Sequence, residues 1–347
     1  MLPAIPTTRS GGTKHAHDAA RESADAPPCA PTPTHPSAHG ARAVSGRQIV
    51  CVGNLVQDEV FEVEALPSAG IKTGVLAYAE RFGGPAATAA VAICHLGGRA
   101  AYWGRVGADA AGETGLRLLR GHGVDCDGVA ILPEGRTLRA IVLVDRRGER
   151  SIVSNRRSLS QDASVLPQGG LTEAGAVLAD TRWPGAAAVV LDRAHDAGIP
   201  SVLDVDGGTP EDNRRLIAKA DHIVFSAEGL RDFAGDGPAE ELLRRCANGS
   251  DKVFAVTRGT AGSLWLIAGE LVSVPAFKVA AKDTTGCGDV FHGAYALGLC
   301  EGRSPVDAAR FAAAVAALKA ERGNGWDGMP DRAAVEAVLA NGETHPH

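Results

Sequence analysis

Several features of membrane, zinc-binding and secreted proteins are missing from this sequence. No apolar run approaches the roughly 20 residues that a helix needs to span a bilayer. The seven cysteines are odd in number and include no CxxC pair, which indicates reduced thiols of a cytoplasmic protein rather than a disulfide framework or a zinc site. A net charge of −6 gives no indication of a nucleic-acid or anionic-membrane surface.

The common short catalytic motifs are missing as well. There is no GxxxxGK[ST] phosphate loop and no GxGxxG after the first predicted strand, which argues against P-loop chemistry and dinucleotide binding. A GxSxG nucleophile elbow and an HExxH zinc motif are also absent. Five internal histidines show no metal-ligand spacing, and we expect them in packing or on the surface: His95, His122, His195, His222 and His292.

The chain divides by composition into a tail and a domain. Residues 1–46 are rich in Pro, Ala, His and Ser without the apolar stretch of a secretory signal, and they predict a disordered tail. The rest has abundant glycine, with 43 in the whole chain, and only 4% aromatic residues. This composition is typical of an Ala/Gly/Val-rich α/β protein with many tight turns, and it predicts one domain over residues 47–341.

The order of apolar patterns predicts the fold class. From "GAVLADTRW" to "KVFAVTRG", strand-like runs alternate with helix-like runs, and such helices are the crossovers that parallel strands require. Two earlier segments, about 58–82 and 137–155, instead carry strand pairs with an exposed-face pattern. We therefore predict a doubly wound α/β domain that carries a separate small β-sheet.

In a doubly wound sheet, ligands lie at the carboxyl ends of the strands, where the strand order reverses. The turns that follow the predicted strands are therefore the candidate ligand contacts. They are 53–54, 182–183, 204–206, 226–228 and 257–262.

The stretch "KDTTGCGDVFHGAYALGL", residues 282–299, begins as a Gly-broken turn and continues as a helix. A helix that starts here presents unpaired amides and the positive end of its dipole, so Gly286, Cys287 and Gly288 would form an anion hole for a phosphate. Asp289 in the first turn is either a general base beside that hole or an acid that complements the dipole. We interpret Cys287 as a small spacer rather than a reactive thiol.

Two segments carry a resemblance to a known family. "DTTGCGDVFHGAYALGL" resembles the C-terminal signature of the ribokinase-like sugar kinases, the phosphofructokinase-B family, and "GGPAATAAVAICHLGGRAAYWGRVGADAAG" resembles the N-terminal one. The resemblance extends over about residues 47–340. It implies a Rossmann-like ribokinase-type fold, an ATP- and Mg²⁺-dependent kinase of small sugars, and a β-sheet lid that closes over the sugar and often joins two subunits. We accordingly expect a homodimer through the lid and neither nucleic-acid nor membrane partners.

The family's catalytic roles fall on matching positions of this chain. Its base falls on Asp289, and its anion hole falls on residues 286–288. Its ATP-site turn falls on Thr257, Gly259 and Gly262. The family's NxxE element is not intact, because "FSAEGL" offers a serine and a displaced Glu228 instead.

Within the family, "GGPAATAA", "VLADTRW" and "DTTGCGDVFHGA" resemble the sulfofructose kinases, which phosphorylate 6-deoxy-6-sulfofructose at O1. The resemblance implies sugar contacts at Asp58, Gly84 and Thr88, where Thr88 stands in place of the Asn of most relatives. The alternative substrates are another ketose, a ketose phosphate, a keto-deoxy sugar acid or a nucleoside.

The same resemblance implies that Lys72 and Arg182 bind the sulfonate. A tetrahedral monoanion suits a guanidinium fork combined with a point ammonium. The lid Asn that forms the third sulfonate contact in those relatives aligns here with Ser154, and Asn155 is next to it. Either residue is a candidate for that contact.

Overall fold

The structure is a computed structural model in which residues 46–147, 149–155, 158–169 and 171–342 are described. The predicted disordered tail therefore lies, apart from Gly46, outside the described residues. No helix in the described ranges is long and apolar enough to cross a membrane.

The strands of the described residues are numbered in chain order. They are β1 (Gln48–Val52), β2 (Val56–Val63), β3 (Val75–Gly83), β4 (Arg99–Trp103), β5 (Arg105–Gly107), β6 (Ala130–Leu132), β7 (Leu138–Asp145), β8 (Arg150–Asn155), β9 (Ala174–Asp180), β10 (Ser201–Val205), β11 (His222–Ser226), β12 (Val253–Thr257), β13 (Ser263–Ile267) and β14 (Glu270–Val274).

The helices connect and cover these strands. They are α1 (Pro85–His95), α2 (Ala110–Gly121), α3 (Pro184–Ala197), α4 (Pro210–Ile217), α5 (Ala227–Ala234), α6 (Ala239–Ala247), α7 (Cys287–Cys300), α8 (Pro305–Arg322) and α9 (Arg332–Asn341).

The main sheet has eight strands in the order β14-β13-β12-β11-β10-β9-β1-β4. The strands from β4 to β12 run parallel, whereas β13 and β14 are added antiparallel at one edge. The chain leaves β1 towards β4 on one side and later returns to β9 on the other. The predicted doubly wound class is confirmed, and the strand order reverses at β1, between β4 and β9.

A second sheet of four strands, in the order β3-β2-β7-β8, forms the lid. In it β2 pairs antiparallel with β3 and parallel with β7, and β7 pairs antiparallel with β8. Asp58 of β2, Ala140 of β7 and Ser154 of β8 are in register across the sheet. Since side chains alternate between faces, these three residues lie on one face of the lid.

Helix α7, which carries Asp289 in its first turn, is held by close packing against its neighbours. It is buried along most of its length against α8 and α1. A Cβ on Gly293 would lie 2.6 Å from the carbonyl oxygen of Ala89, so α1 can approach α7 only because this residue is glycine. The small-residue stretch "GAYALG" is therefore a packing surface, and it fixes the position of the helix start.

Candidate active site

The start of helix α7 presents unpaired backbone amides, as the predicted anion hole requires, with one change of donor. Gly286 precedes the helix with φ +73°, a left-handed conformation that favours glycine. The Cys287 amide donates to the Thr284 carbonyl at 3.2 Å. Among the described residues, the amides of Gly286, Gly288 and Asp289 have no hydrogen-bond partner. The donors available to an anion are thus these three, and the Asp289 amide replaces the predicted Cys287 amide.

The space around these amides fits a phosphate. A Cβ built on Gly288 meets no atom within 4 Å, so the backbone there is open to a ligand. Burial raises the pKa of the Cys287 thiol to about 11, which leaves it without thiolate character near neutral pH. This supports the interpretation of Cys287 as a spacer.

The Asp289 carboxyl has an unusually high proton affinity. Burial and, to a smaller extent, Asp204 raise its pKa to about 8 against the opposing effect of His292. Asp206 and Asp180 add to the upward shift. A carboxyl that only complemented the helix dipole would favour its charged form. A pKa near the working pH instead suits a residue that takes up a proton during a reaction.

A cavity of about 500 Å³ lies where the main sheet reverses its strand order. Asn54 follows β1 and Arg182 follows β9, so the two turns predicted from the strand ends meet in its wall. The lid forms the opposite wall. Predicted sugar-binding residues that line the cavity are Asp58, Gly84, Ser154, Asn155 and Arg182.

Arg182 is partly buried at the edge of this cavity, with 22% of its side chain exposed. Its Nη2 donates to the backbone oxygen of Asp206 and to the Asp206 carboxylate, the latter at 3.3 Å. Its Nε and Nη1 make no hydrogen bond within the described part of the chain. The contacts with Asp206 therefore orient the guanidinium, and its remaining N–H groups are able to bind an anion.

Sequence reasoning missed one residue of the cavity lining and one residue that supports the site from behind. Arg139 of β7 lines the cavity and forms an ion pair with Glu59 at 3.5 Å. Asp180 ends β9, and its carboxylate accepts hydrogen bonds of 2.8–3.3 Å from the backbone amides of Asn54, Ala86 and Arg182. Asp180 thus ties β1, α1 and β9 together. An aspartate that closes the apolar run "AVLAD" was a usable signal for this role.

The Asp58 carboxyl faces the cavity from the lid. Burial raises its pKa to about 6, and Arg81 opposes the shift. A partly desolvated carboxyl at this position is a hydrogen-bond acceptor with which sugar hydroxyls could pair.

Two predicted substrate contacts are not part of the cavity lining. Lys72 is exposed between β2 and β3. Thr88 is buried in α1, and its hydroxyl accepts a hydrogen bond from Trp326 Nε1 at 3.1 Å. Its methyl group would lie 3.5 Å from a Cβ on Gly286, so Thr88 packs behind the anion hole instead of facing the cavity.

The predicted ATP turn follows β12. Gly259 has φ +58°, and a Cβ there would meet no atom within 4 Å, so its backbone is accessible. Packing alone requires a glycine at position 262, because a Cβ there would lie 2.2 Å from the Val274 carbonyl oxygen. Glu228 is exposed in the first turn of α5. Thr257 ends β12, and its hydroxyl lies 3.4 Å from the Phe225 carbonyl oxygen.

The described residues do not by themselves form a metal centre. No group of three or more His, Cys, Asp or Glu side chains among them is arranged to hold a metal ion. The unpartnered amides and the open backbone at Gly288, by contrast, fit phosphate oxygens.

Comparison with known proteins gives a consistent set of relatives. Residues 47–332 match the profile described as pfkB family carbohydrate kinase. A ribokinase of Arabidopsis thaliana is 30% identical over 309 residues, which cover 84% of this chain and 80% of the relative. A fructokinase of Oryza sativa is 26% identical over 289 residues, covering 76% of this chain and 90% of the relative.

Solved structures agree with the sequence matches. The structure of Arabidopsis thaliana ribokinase complexed with ribose and ATP superposes with a TM-score of 0.74 at 28% identity. The match covers 85% of this chain and 99% of that structure.

Proposed function

The chain belongs to the pfkB family of carbohydrate kinases, and from that premise we propose that it transfers the γ-phosphoryl group of ATP to O1 of 6-deoxy-6-sulfofructose. That the enzyme is an ATP-dependent sugar kinase follows from the family. The identity of the sugar is the proposal. The observation that carries it is Arg182, whose guanidinium lines the sugar-sized cavity with Nε and Nη1 unpaired.

Arg182 supports an anionic acceptor. It lines the cavity together with the polar lid residues Ser154 and Asn155, while the carboxyls of Asp58 and Asp212 leave the wall of mixed charge. A planar guanidinium binds a tetrahedral anion through two parallel hydrogen bonds, which gives strength and direction. Lys72 is outside the lining. The Arg139 side chain belongs to the lid face of Ile141 and Val153, where it pairs with Glu59. Arg182 is therefore the cation on which the proposal rests.

The chemistry assigned to this chain's residues is a direct phosphoryl transfer. The sugar O1–H gives its proton to the Asp289 carboxylate while O1 forms a bond to the γ-phosphorus. The bond between that phosphorus and the β–γ bridging oxygen breaks, and ADP leaves. The unpaired amides of Gly286, Gly288 and Asp289 would donate hydrogen bonds to the phosphoryl oxygens and so stabilise their negative charge.

Mg²⁺ would arrive with the nucleotide. Mg²⁺ is usually held by phosphate oxygens and water with only one or two carboxylates. Since no metal-binding group is formed by the described side chains, we expect the ATP phosphates to supply most of its ligands. The ion neutralises phosphate charge when bound.

We also propose a homodimer formed through the lid and a reducing, cytoplasmic location. The lid face opposite the cavity exposes Tyr78, Ile141 and Val153, and an apolar sheet face of this kind favours association. Cys51, Cys94, Cys126, Cys246 and Cys287 do not lie in disulfide pairs in the fold, which accords with a reducing compartment.

A substrate panel tests the proposal. Purified protein is assayed with ATP and 6-deoxy-6-sulfofructose, fructose 6-phosphate, fructose, ribose, a keto-deoxy sugar acid and a nucleoside. The highest kcat/KM is expected for the sulfonate sugar. Preference for fructose 6-phosphate would overturn the sulfonate assignment, and preference for a neutral sugar would overturn the anionic acceptor altogether.

The variant Arg182→Ala tests the residue that carries the proposal. We expect kcat/KM for the sulfonate sugar to fall more than about tenfold, a loss above about 1.4 kcal/mol, with little change for fructose. Arg231→Ala, on the exposed surface of α5, is the matched control. An equal loss for charged and neutral sugars would mean that Arg182 acts on the fold rather than on the anion.

A further inference from the structure

A buried ion pair lies one helical turn beyond Asp289. His292 extends from α7 towards Asp204 of β10, and Nδ1 is 3.1 Å from Oδ2. Both side chains are only 3% exposed. The contact lacks hydrogen-bond geometry, and the outer atoms His292 Nε2 and Asp204 Oδ1 have no partner among the described residues. The pair is therefore held chiefly by charge.

The surroundings of this pair are strongly acidic. Asp204 and Asp206 approach Asp289 from the end of β10, and Asp180 approaches from the end of β9. Helix α8 presents the buried Lys319, which acts on Cys287 and Asp283. The face of α1 towards α7 carries alanines and Thr88. Among the groups that act on Asp289, His292 alone opposes the carboxylates.

We propose that His292 is a positioning residue which, as an imidazolium paired with Asp204, cancels the charge of that carboxylate so that Asp289 can release and accept a proton. The inference rests on the proposed role of Asp289 as the base. Burial alone would lower the pKa of His292, but Asp204 facing it, with Asp289 and Asp206, raises it overall. These carboxylates thus favour the imidazolium more than the surroundings of a free histidine do.

The net charge of the His292–Asp204 pair distinguishes an electrostatic role of His292 from a packing role. In the parent protein the charges of the proposed imidazolium and of the Asp204 carboxylate add up to zero. His292→Asn leaves Asp204 as an uncompensated carboxylate that acts on Asp289, and a nearby like charge raises a carboxyl pKa by about one unit or more. Asp204→Asn removes the carboxylate that favours the imidazolium, so the ring becomes neutral and the pair again has no net charge. The double variant is neutral as well.

The test is the pH dependence of kcat/KM, which reports the base of the free enzyme. The four proteins are the parent, His292→Asn, Asp204→Asn and the double variant, assayed with ATP and 6-deoxy-6-sulfofructose, or with fructose where the sulfonate sugar is not turned over. We expect the acid limb of His292→Asn to move upward by about one pH unit, and the double variant to return to the parent limb. An unmoved limb in His292→Asn, or a double variant that does not return, overturns the proposal. His292→Gln replaces the Asn variant if that protein does not fold.

A second measurement needs no substrate. Nitrogen-15 NMR of the histidine side chains, with His292 assigned by its absence in the variant, is expected to show an imidazolium at neutral pH. A neutral ring overturns the inference. If Asp289→Asn keeps full turnover, the proposed base is wrong; if that variant is inactive while His292 is neutral, only the present inference is wrong.

Discussion

Replacing Asp289 with Asn should stabilise the ligand-free protein, and the gain should grow with pH. Burial and Asp204 raise the pKa of the Asp289 carboxyl from 3.8 to about 8. The folded protein therefore binds a proton that the unfolded chain releases at lower pH. Stability from this carboxyl is fully present below its unfolded pKa and is lost as pH rises towards about 8. Asn cannot lose a proton, so its variant avoids that loss.

The size of the stability gain follows from the pKa shift of Asp289 and from the exposure of its side chain. About four pKa units at about 1.4 kcal/mol each give a ceiling of about 6 kcal/mol. Asp289 retains part of its surface in contact with solvent, and screening reduces the effect. We expect a gain of about 1–2 kcal/mol that is small near pH 4 and constant above about pH 8.

Urea unfolding, monitored by tryptophan fluorescence at a series of pH values, measures this gain. The exposed Asp232→Asn on α5 is the matched control and should show no such growth. The same Asp289 variant should lose about 10²–10⁴-fold in kcat, the range of a general base. A gain that does not increase with pH would refute the electrostatic account, and full turnover would refute the base.

Two other predictions concern the anion hole and the lid. Gly286→Ala should lower kcat/KM for ATP by about tenfold or more, because φ +73° strains alanine beside the amides that would bind the phosphate. Gly302→Ala, with φ +80° and open space, is the control and should strain the fold alone. Equal activity of the two variants would contradict the anion hole. Val153→Glu, at a lid position that is 66% exposed, should give monomers in sedimentation. Ile131→Glu on β6 is the control and should leave the oligomeric state unchanged. A parent protein that is already monomeric would contradict the lid dimer.

Local signals made the start of helix α7 predictable from the sequence. A Gly-rich turn and a small-residue helix are visible in neighbouring letters, so the helix start at Gly286 and the place of Asp289 in its first turn were predicted correctly. The hydrogen bond from the Cys287 amide to Thr284 was not predicted, because it depends on the exact path of the turn. One of the three predicted donors was replaced by the Asp289 amide for that reason.

Contacts across the fold were predicted less well. The strand-end rule brought Asn54 and Arg182 into one cavity wall, because the carboxyl ends of β1 and β9 meet where the strand order reverses. The rule says nothing of the lid, whose approach to the main sheet decides which side chains reach the cavity. Arg139 was therefore missed, and Lys72 was expected in a wall that it does not line.

The most consequential feature that the sequence leaves hidden is the concentration of carboxylates around Asp289. Asp180, Asp204 and Asp289 belong to β9, β10 and α7, and each is unremarkable in its own segment. The parallel sheet brings them together, and a phosphate that approaches them is repelled unless positive charge is also present. In the ligand-free state a proton on Asp289 removes one of these negative charges, and the proposed imidazolium of His292 would offset another. We therefore expect a nucleotide that arrives with its cation to displace the proton and leave Asp289 ready to accept the one from the sugar.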